Sequence, residues 1–176
     1  MLVEAVGHLL IFDSTGKLVN DLAVGVGVTA VTLHEGWLLL GYGDGNIDLR
    51  PVGPQAVRPG FTFEQTAASP VETIIPGPSG TLIAGYGNGL LGIWDRESGV
   101  RLAQATLHGP ITHLRLVGRE LHVATDLGHF MTWDLSTFYV EHCELLRQVW
   151  QQIPVVWSAG HPVLRPPPAD HHCQPR

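Results

Sequence analysis

Three groups of residues in this 176-residue chain have the types that chemistry needs. The first is a set of soft metal ligands, His142-Cys143 and, thirty residues on, His171-His172-Cys173. A structural zinc site takes such ligands in two halves of paired spacing. Neither CxxC nor HxxxH occurs, so no metal site is expected. The second group is Gly87-Asn88-Gly89-Leu90-Leu91-Gly92, which matches GxGxxG letter for letter. That motif holds a pyrophosphate only where a helix follows and its N-terminal N–H groups face the anion. Here Ile93-Trp94-Asp95 reads as strand, so the glycines mark a turn between strands. The third group, Asp44-Gly45-Asn46-Ile47-Asp48, opens like a calcium loop. Leu49 stands where such a loop needs its turn glycine, and Gln55 where it needs a bidentate acid. Ser, His and Asp are all present, but in no nucleophile-elbow or similar arrangement. His108 is better read as bracing a loop than as a general base. No catalytic residue, cofactor or metal is therefore expected.

The glycines that imitate a nucleotide motif belong to a longer pattern. Gly41-Tyr42-Gly43-Asp44-Gly45 returns 44 residues later as Gly85-Tyr86-Gly87-Asn88-Gly89. Trp94-Asp95 follows Gly89 at an offset that also takes Gly128 to Trp133-Asp134 and Gly7 to Phe12-Asp13. Successive anchors Gly7, Gly45, Gly89 and Gly128 stand 38, 44 and 39 residues apart. A strand begins before each of the last three, at Val28, Val71 and Ile111. A second runs into the anchor, at Trp37–Leu40, Thr81–Ala84 and Leu121–Thr125, and a third leaves it. A fourth follows a polar turn, at Lys17–Val24 and Val100–Leu107. Four short strands per repeat of about 40 residues are the signature of a propeller blade. One such sheet cannot bury both faces, and stacking on neighbours can.

Composition bounds the rest. An apolar fraction of 44% supports a core, and 13 prolines with 21 glycines fall between apolar runs as turn punctuation. Ten basic against sixteen acidic residues give a formal charge of −6, which argues against a nucleic-acid partner. Two cysteines are too few for a disulfide framework, so a reducing compartment is expected. The start lacks a signal-peptide pattern and no run is long enough to span a membrane. The expectation is a cytoplasmic chain with no membrane partner.

The repeats resemble WD40 repeats over roughly residues 1–140. Trp94-Asp95 and Trp133-Asp134 carry the likeness, with Phe12-Asp13 as a variant and Leu107-His108-Gly109 similar to the family's Gly-His element. The resemblance implies a hydrogen-bonded network in the last repeat through His108, Thr125 and Trp133, with Asp126 one place early. The second repeat departs from the pattern, having Arg50-Pro51 in place of Trp-Asp. The tail resembles the ends of large bacterial WD40 proteins in which a propeller follows a signalling domain. The implied fold class is all-β, a partial propeller of three to four blades with a short C-terminal helix. The blades divide as 1–25 (partial), 26–66, 67–107 and 108–140. Residues 141–157 follow as helix and extension, and 158–176 as a Pro-rich, disordered tail. WD40 rings usually close with more blades, so the chain reads as part of a larger propeller.

The implied function is a non-catalytic scaffold for a protein or peptide. The contact face carries the loops between blades and the turns between second and third strands. Its residues are Tyr42, Asp44, Tyr86, Asn88, His108, Thr112 and Asp126, with the tyrosines as anchors or, alternatively, as packing between blades. The competing reading is an enzyme or accessory domain with a site near the propeller channel. Open blade faces, one of them at Val3, Leu9 and Ile11, are expected to favour self-association. In the helix, Leu145, Leu146, Val149 and Trp150 are expected to be more buried than Arg147, Gln148 and Gln151.

Overall fold

The computed structural model describes residues 2–5, 7–52, 61–63, 68–165 and 170–174. The chain divides into two compact units, Met1–Trp133 and Asp134–Arg176. No described helix is long and apolar enough to cross a membrane.

Among the described residues, four small antiparallel sheets make the first unit. Sheet one holds β1 (Leu2–Ala5), β2 (His8–Phe12) and β3 (Leu18–Ala23). Sheet two holds β4 (Val28–His34), β5 (Trp37–Tyr42), β6 (Ile47–Pro51) and β7 (Phe61–Thr62). Sheet three holds β8 (Val71–Pro76), β9 (Thr81–Tyr86), β10 (Leu90–Asp95) and β11 (Arg101–Thr106). Sheet four holds β12 (Ile111–Val117), β13 (Glu120–Thr125) and β14 (Phe130–Asp134). Each is a meander in sequence order. The leading strands lie side by side, β4 against β8 and β8 against β12. The hydroxyls of Thr29 and Thr32 on β4 donate to the carbonyls of Val71 (2.7 Å) and Ile74 (2.6 Å) on β8.

The repeat seen in the letters is a repeat of geometry. Pairing slips by a residue between Val28 and Ala30, between Val71 and Thr73, and between Ile111 and His113. A bulge at one place in three sheets bends each leading strand in the same way. The small residue opposite the slip is Gly41 in sheet two and Gly85 in sheet three. There the next sheet arrives. A Cβ on Gly41 would stand 2.5 Å from Cγ1 of Val71, and one on Gly85 would stand 2.8 Å from Cβ of Ile111. Neither is a physical contact distance, so glycine is the residue that lets the sheets meet.

Burial follows the stacking. Leu39, Ile47, Leu49 and Phe63 of sheet two pack with Val71, Leu82, Ala84, Tyr86 and Trp94 of sheet three. Leu9 of sheet one packs with Leu38 and Leu40 of sheet two. Leu9 is therefore turned inward, which corrects its expected place on an open face. Every residue of β9 is buried. The strands of sheet four instead alternate between covered and exposed positions, as a sheet with one open face must.

The second unit has a 3₁₀ turn (Ser136–Tyr139), α1 (His142–Gln152), β15 (Val155–Ser158) and β16 (His161–Leu164). Pro154 follows the C-cap residue Ile153 and ends the helical run. No residue of α1 is fully buried. Leu145, Leu146 and Trp150 are half-buried, but Val149 is 42% exposed. Arg147 is half-buried too, against expectation, because its guanidinium donates to the Cys173 carbonyl (3.2 Å) and to Glu144 (2.9 Å). β15 and β16 pair as a hairpin through Ala159 and Gly160, whose φ values of 49° and 82° suit a two-residue turn.

Cys143 and Cys173 are joined by a disulfide. This corrects the expectation of two reduced cysteines, and with it the argument for a reducing compartment. Of the tail expected to be disordered, 158–176, residues 158–165 hold the hairpin's turn and second strand and 170–174 are docked, with Cys173 buried. The rest of the expected tail, 166–169 and 175–176, lies outside the described residues.

Candidate functional site

The anchors Gly45, Gly89 and Gly128 sit in equivalent turns. Their φ values are 90°, 83° and 81°, a region that favours glycine. Each donates its N–H three residues back, to Tyr42 (3.1 Å), Tyr86 (3.0 Å) and Thr125 (3.1 Å). The turns are also tied to the loops that lead into their own sheets. Gly43 donates to Gly27 (2.8 Å), Gly87 to Pro70 (2.9 Å) and Asp126 to Pro110 (3.0 Å). One backbone bond thus recurs in three sheets and gathers turns and loops on one edge of the unit.

This edge carries the residues expected from the sequence, in three different situations. Asp44, Asn88, His108 and Asp126 are exposed. The Asp44 carboxylate accepts from the N–H (3.0 Å) and side-chain amide (2.7 Å) of Asn46. Asn88 Oδ1 accepts in the same way from the Leu90 N–H (3.1 Å). Both are held by their own turns. Thr112 and Tyr42 are half-buried. Thr112 Oγ1 meets the His113 ring at 2.9 Å.

Tyr86 corrects its expected role as an anchor. It is fully buried, tilted against Trp94 at 6.2 Å, and its hydroxyl reaches the Gly45 carbonyl at 3.5 Å. It packs one sheet on the next and offers no ring to a partner. Tyr42 does similar work one sheet earlier, donating to the Val24 carbonyl (3.0 Å) and standing 3.3 Å from Asp48. Burial, and then the Asp48 charge, raise its pKa above the ordinary 10.0. Arg50, in the position Trp takes elsewhere, completes this cluster. It donates to the Ala23 carbonyl (2.7 Å), to Asp48 (3.1 Å) and to the Tyr42 oxygen (3.3 Å). The departure at Arg50 is a polar tie between sheets one and two.

The network expected from His108 through Thr125 to Trp133 is not formed. Thr125 Oγ1 instead accepts from the His129 N–H at 3.2 Å, and the His108 ring stands edge-on to His129 at 5.4 Å. The shift of the acid to Asp126 leaves the exposed Leu127 at the turn position, where nothing can complete the chain of bonds. The aspartates of the aromatic-Asp pairs have a different task, on the turns after the third strands. Asp13 accepts from Thr15 and Lys17, Asp95 from Ser98, and Asp134 from Ser136. The Ser98 hydroxyl, followed by its N–H, lowers the Asp95 pKa below 3.8. A cleft of about 320 Å³ at that end is lined by Trp37, Ser79, Asp95, Arg96 and Glu97. Each shifted carboxylate among the described residues is explained by a turn or helix hydrogen bond, not by a buried reactive group.

No family model matches the chain, and no curated protein matches it. Solved structures do. The computationally designed Ika4 protein aligns at TM-score 0.64 and 18% identity, over 76% of this chain and 84% of that one. A chain of the mitotic checkpoint complex aligns at 0.62 and 17%, over 75% of this chain and 43% of that one. Hsv2 of Kluyveromyces lactis aligns at 0.62 and 16%, over 83% and 48%. The fold is that of a partial, unclosed propeller. The chain spans less than half the length of the last two, and identities this low establish fold alone.

Proposed function

We propose that the chain is a non-catalytic protein-interaction scaffold, a WD40-type set of blades belonging to a larger propeller. The observation that carries this is the recurring tie from turn to loop, Gly43 to Gly27, Gly87 to Pro70 and Asp126 to Pro110. It presents Asp44, Asn88, His108 and Asp126 from a backbone already fixed, so binding a protein or peptide costs little ordering entropy. Tyr42 and Thr112 flank this set as half-exposed contacts. No nucleic-acid or membrane partner and no enzymatic activity are proposed. Self-association belongs to the open face of sheet four, where Phe130 is 84% exposed among His113, Arg115, His122 and Thr132.

The test uses the full chain carrying Asp44→Lys, Asn88→Lys and Asp126→Lys together, compared with the wild type by proximity labelling in cells. The triple variant should melt as the wild type does and lose the specific partners. Retention of the same partners would place the interaction elsewhere, and light scattering of Phe130→Asp would then show whether that place is the sheet-four face.

A further inference from the structure

The second unit brings together the two His-Cys pairs that their spacing did not connect. His142 and Cys143 open α1, and His172 and Cys173 lie on the docked tail. One ligand atom each from His142, His172 and Cys173 fall within 4.8 Å of one another. Cys143 is bonded to Cys173, so its sulfur joins the same group. Two imidazoles and two sulfurs are the donor set of a Cys₂His₂ zinc site, whose ligand bonds are about 2.0–2.3 Å. Around a tetrahedral ion of that size the ligand atoms stand about 3.5 Å apart, so the imidazoles must close on the Cys173 sulfur by about an ångström while the two sulfurs, bonded to each other here, move apart once the disulfide opens.

The surroundings hold the tail in place for this. Arg147 donates to the Cys173 carbonyl at 3.2 Å, and the Cys173 N–H donates to the His171 ring at 3.2 Å. His171 stands edge-on to Trp150 at 5.0 Å and stacks on His172 at 4.5 Å. The rings of His142 and His172 are parallel, 6.3 Å apart, both exposed.

We propose that these four residues form a thiol-dependent site for one divalent ion of the zinc class, and that the disulfide is its closed, metal-free alternative. The interconversion is thiol–disulfide exchange. A dithiol reductant passes two electrons and two protons to the Cys143–Cys173 bond and leaves as its own cyclic disulfide. The ion then displaces the thiol protons and takes two thiolates and two neutral imidazoles. A disulfide oxidant reverses this: the two thiolates give up two electrons, the sulfur–sulfur bond forms again, the oxidant leaves as two thiolates that take protons from water, and the ion is released. The site lies within the second unit and does not depend on the scaffold reading.

The experiment titrates cobalt(II), an optical stand-in for zinc, into the full-length chain after reduction and anaerobic removal of the reductant. One equivalent should bind, with a thiolate-to-metal charge-transfer band and tetrahedral d–d absorption, and zinc should displace it. The oxidised chain should bind none. His142→Ala and His172→Ala leave the disulfide free to form, so their oxidised forms check folding. Each should weaken cobalt binding by about tenfold or more once reduced. Failure of the reduced wild type to bind, equal binding by the oxidised chain, or unchanged binding in both histidine variants would overturn the proposal.

Discussion

Gly41→Ala is the substitution on which the stacking of sheets bears most directly. Gly41 lies in β5 with an ordinary strand φ, so alanine costs nothing in backbone terms. Through the unfolded state it would be expected to stabilise by about 0.4–1 kcal/mol. The packing argument reverses that sign. The new methyl would lie 2.5 Å from Cγ1 and 2.6 Å from Cβ of Val71, and 3.3 Å from the Ala30 Cβ. Carbon atoms rest about 3.5–4.0 Å apart, so two atoms of Val71 are about an ångström too close. Val71 cannot yield easily. It is fully buried, and its carbonyl is held by Thr29. Overpacking of this kind costs about 1–3 kcal/mol, which leaves a net loss after the backbone gain is subtracted. The control is Gly43→Ala, two residues along the chain, where the nearest atoms stand 3.8 Å from a Cβ. Urea denaturation followed by far-ultraviolet circular dichroism should show Gly41→Ala less stable by about 1–2 kcal/mol and Gly43→Ala within about 0.5 kcal/mol of wild type. A double-mutant cycle with Val71→Ala should recover part of the loss, with a coupling of about 0.5 kcal/mol or more. Equal stability of Gly41→Ala and wild type, or zero coupling to Val71, would refute the claim that sheets two and three meet there.

Two pH dependences follow from the surroundings of Tyr42 and Asp95. The Tyr42 pKa is raised in the folded chain by burial and Asp48, so the stability it confers is complete below pH 10.0 and is lost as pH rises through the folded value. Tyr42→Phe should cost about 0.5–1.5 kcal/mol near neutrality and should flatten the alkaline fall of a melting-temperature profile; an unchanged profile would contradict the assignment. The Asp95 pKa is lowered by Ser98, so its contribution is present above pH 3.8 and lost as pH falls through the folded value. Ser98→Ala should melt below wild type near neutrality, with the gap closing in acid; a gap independent of pH would mean that the Asp95 charge plays no part.

Much of the first unit was legible because its signals are local. Gly45, Gly89 and Gly128 need positive φ, and the apolar runs on either side of them have no choice but to pair. The site residues were less legible. An aromatic beside a turn looks the same in sequence whether it faces a partner, as expected for Tyr86, or the next sheet, as found. The missing network around His108 turns on a one-residue shift of an acid, which only the observed bonding of Thr125 resolves. The pairing of Cys143 with Cys173 joins residues on either side of the Ala159-Gly160 hairpin, a two-residue turn inside the stretch that was expected to be disordered. The His-Cys doublets were visible, but their 30-residue separation hid that they are neighbours.

Amide hydrogen exchange resolved to single residues tests the proposed binding edge most directly. The account requires the N–H groups of Gly43, Gly87 and Asp126, in turns that face solvent, to be held by Gly27, Pro70 and Pro110. They should exchange slowly, at rates comparable with the adjoining strands β5, β9 and β13, because opening them means parting a turn from its loop. Fast exchange at Gly43, Gly87 and Asp126 alongside protected strands would mean that the edge is not preformed, and would remove the observation on which the scaffold reading rests.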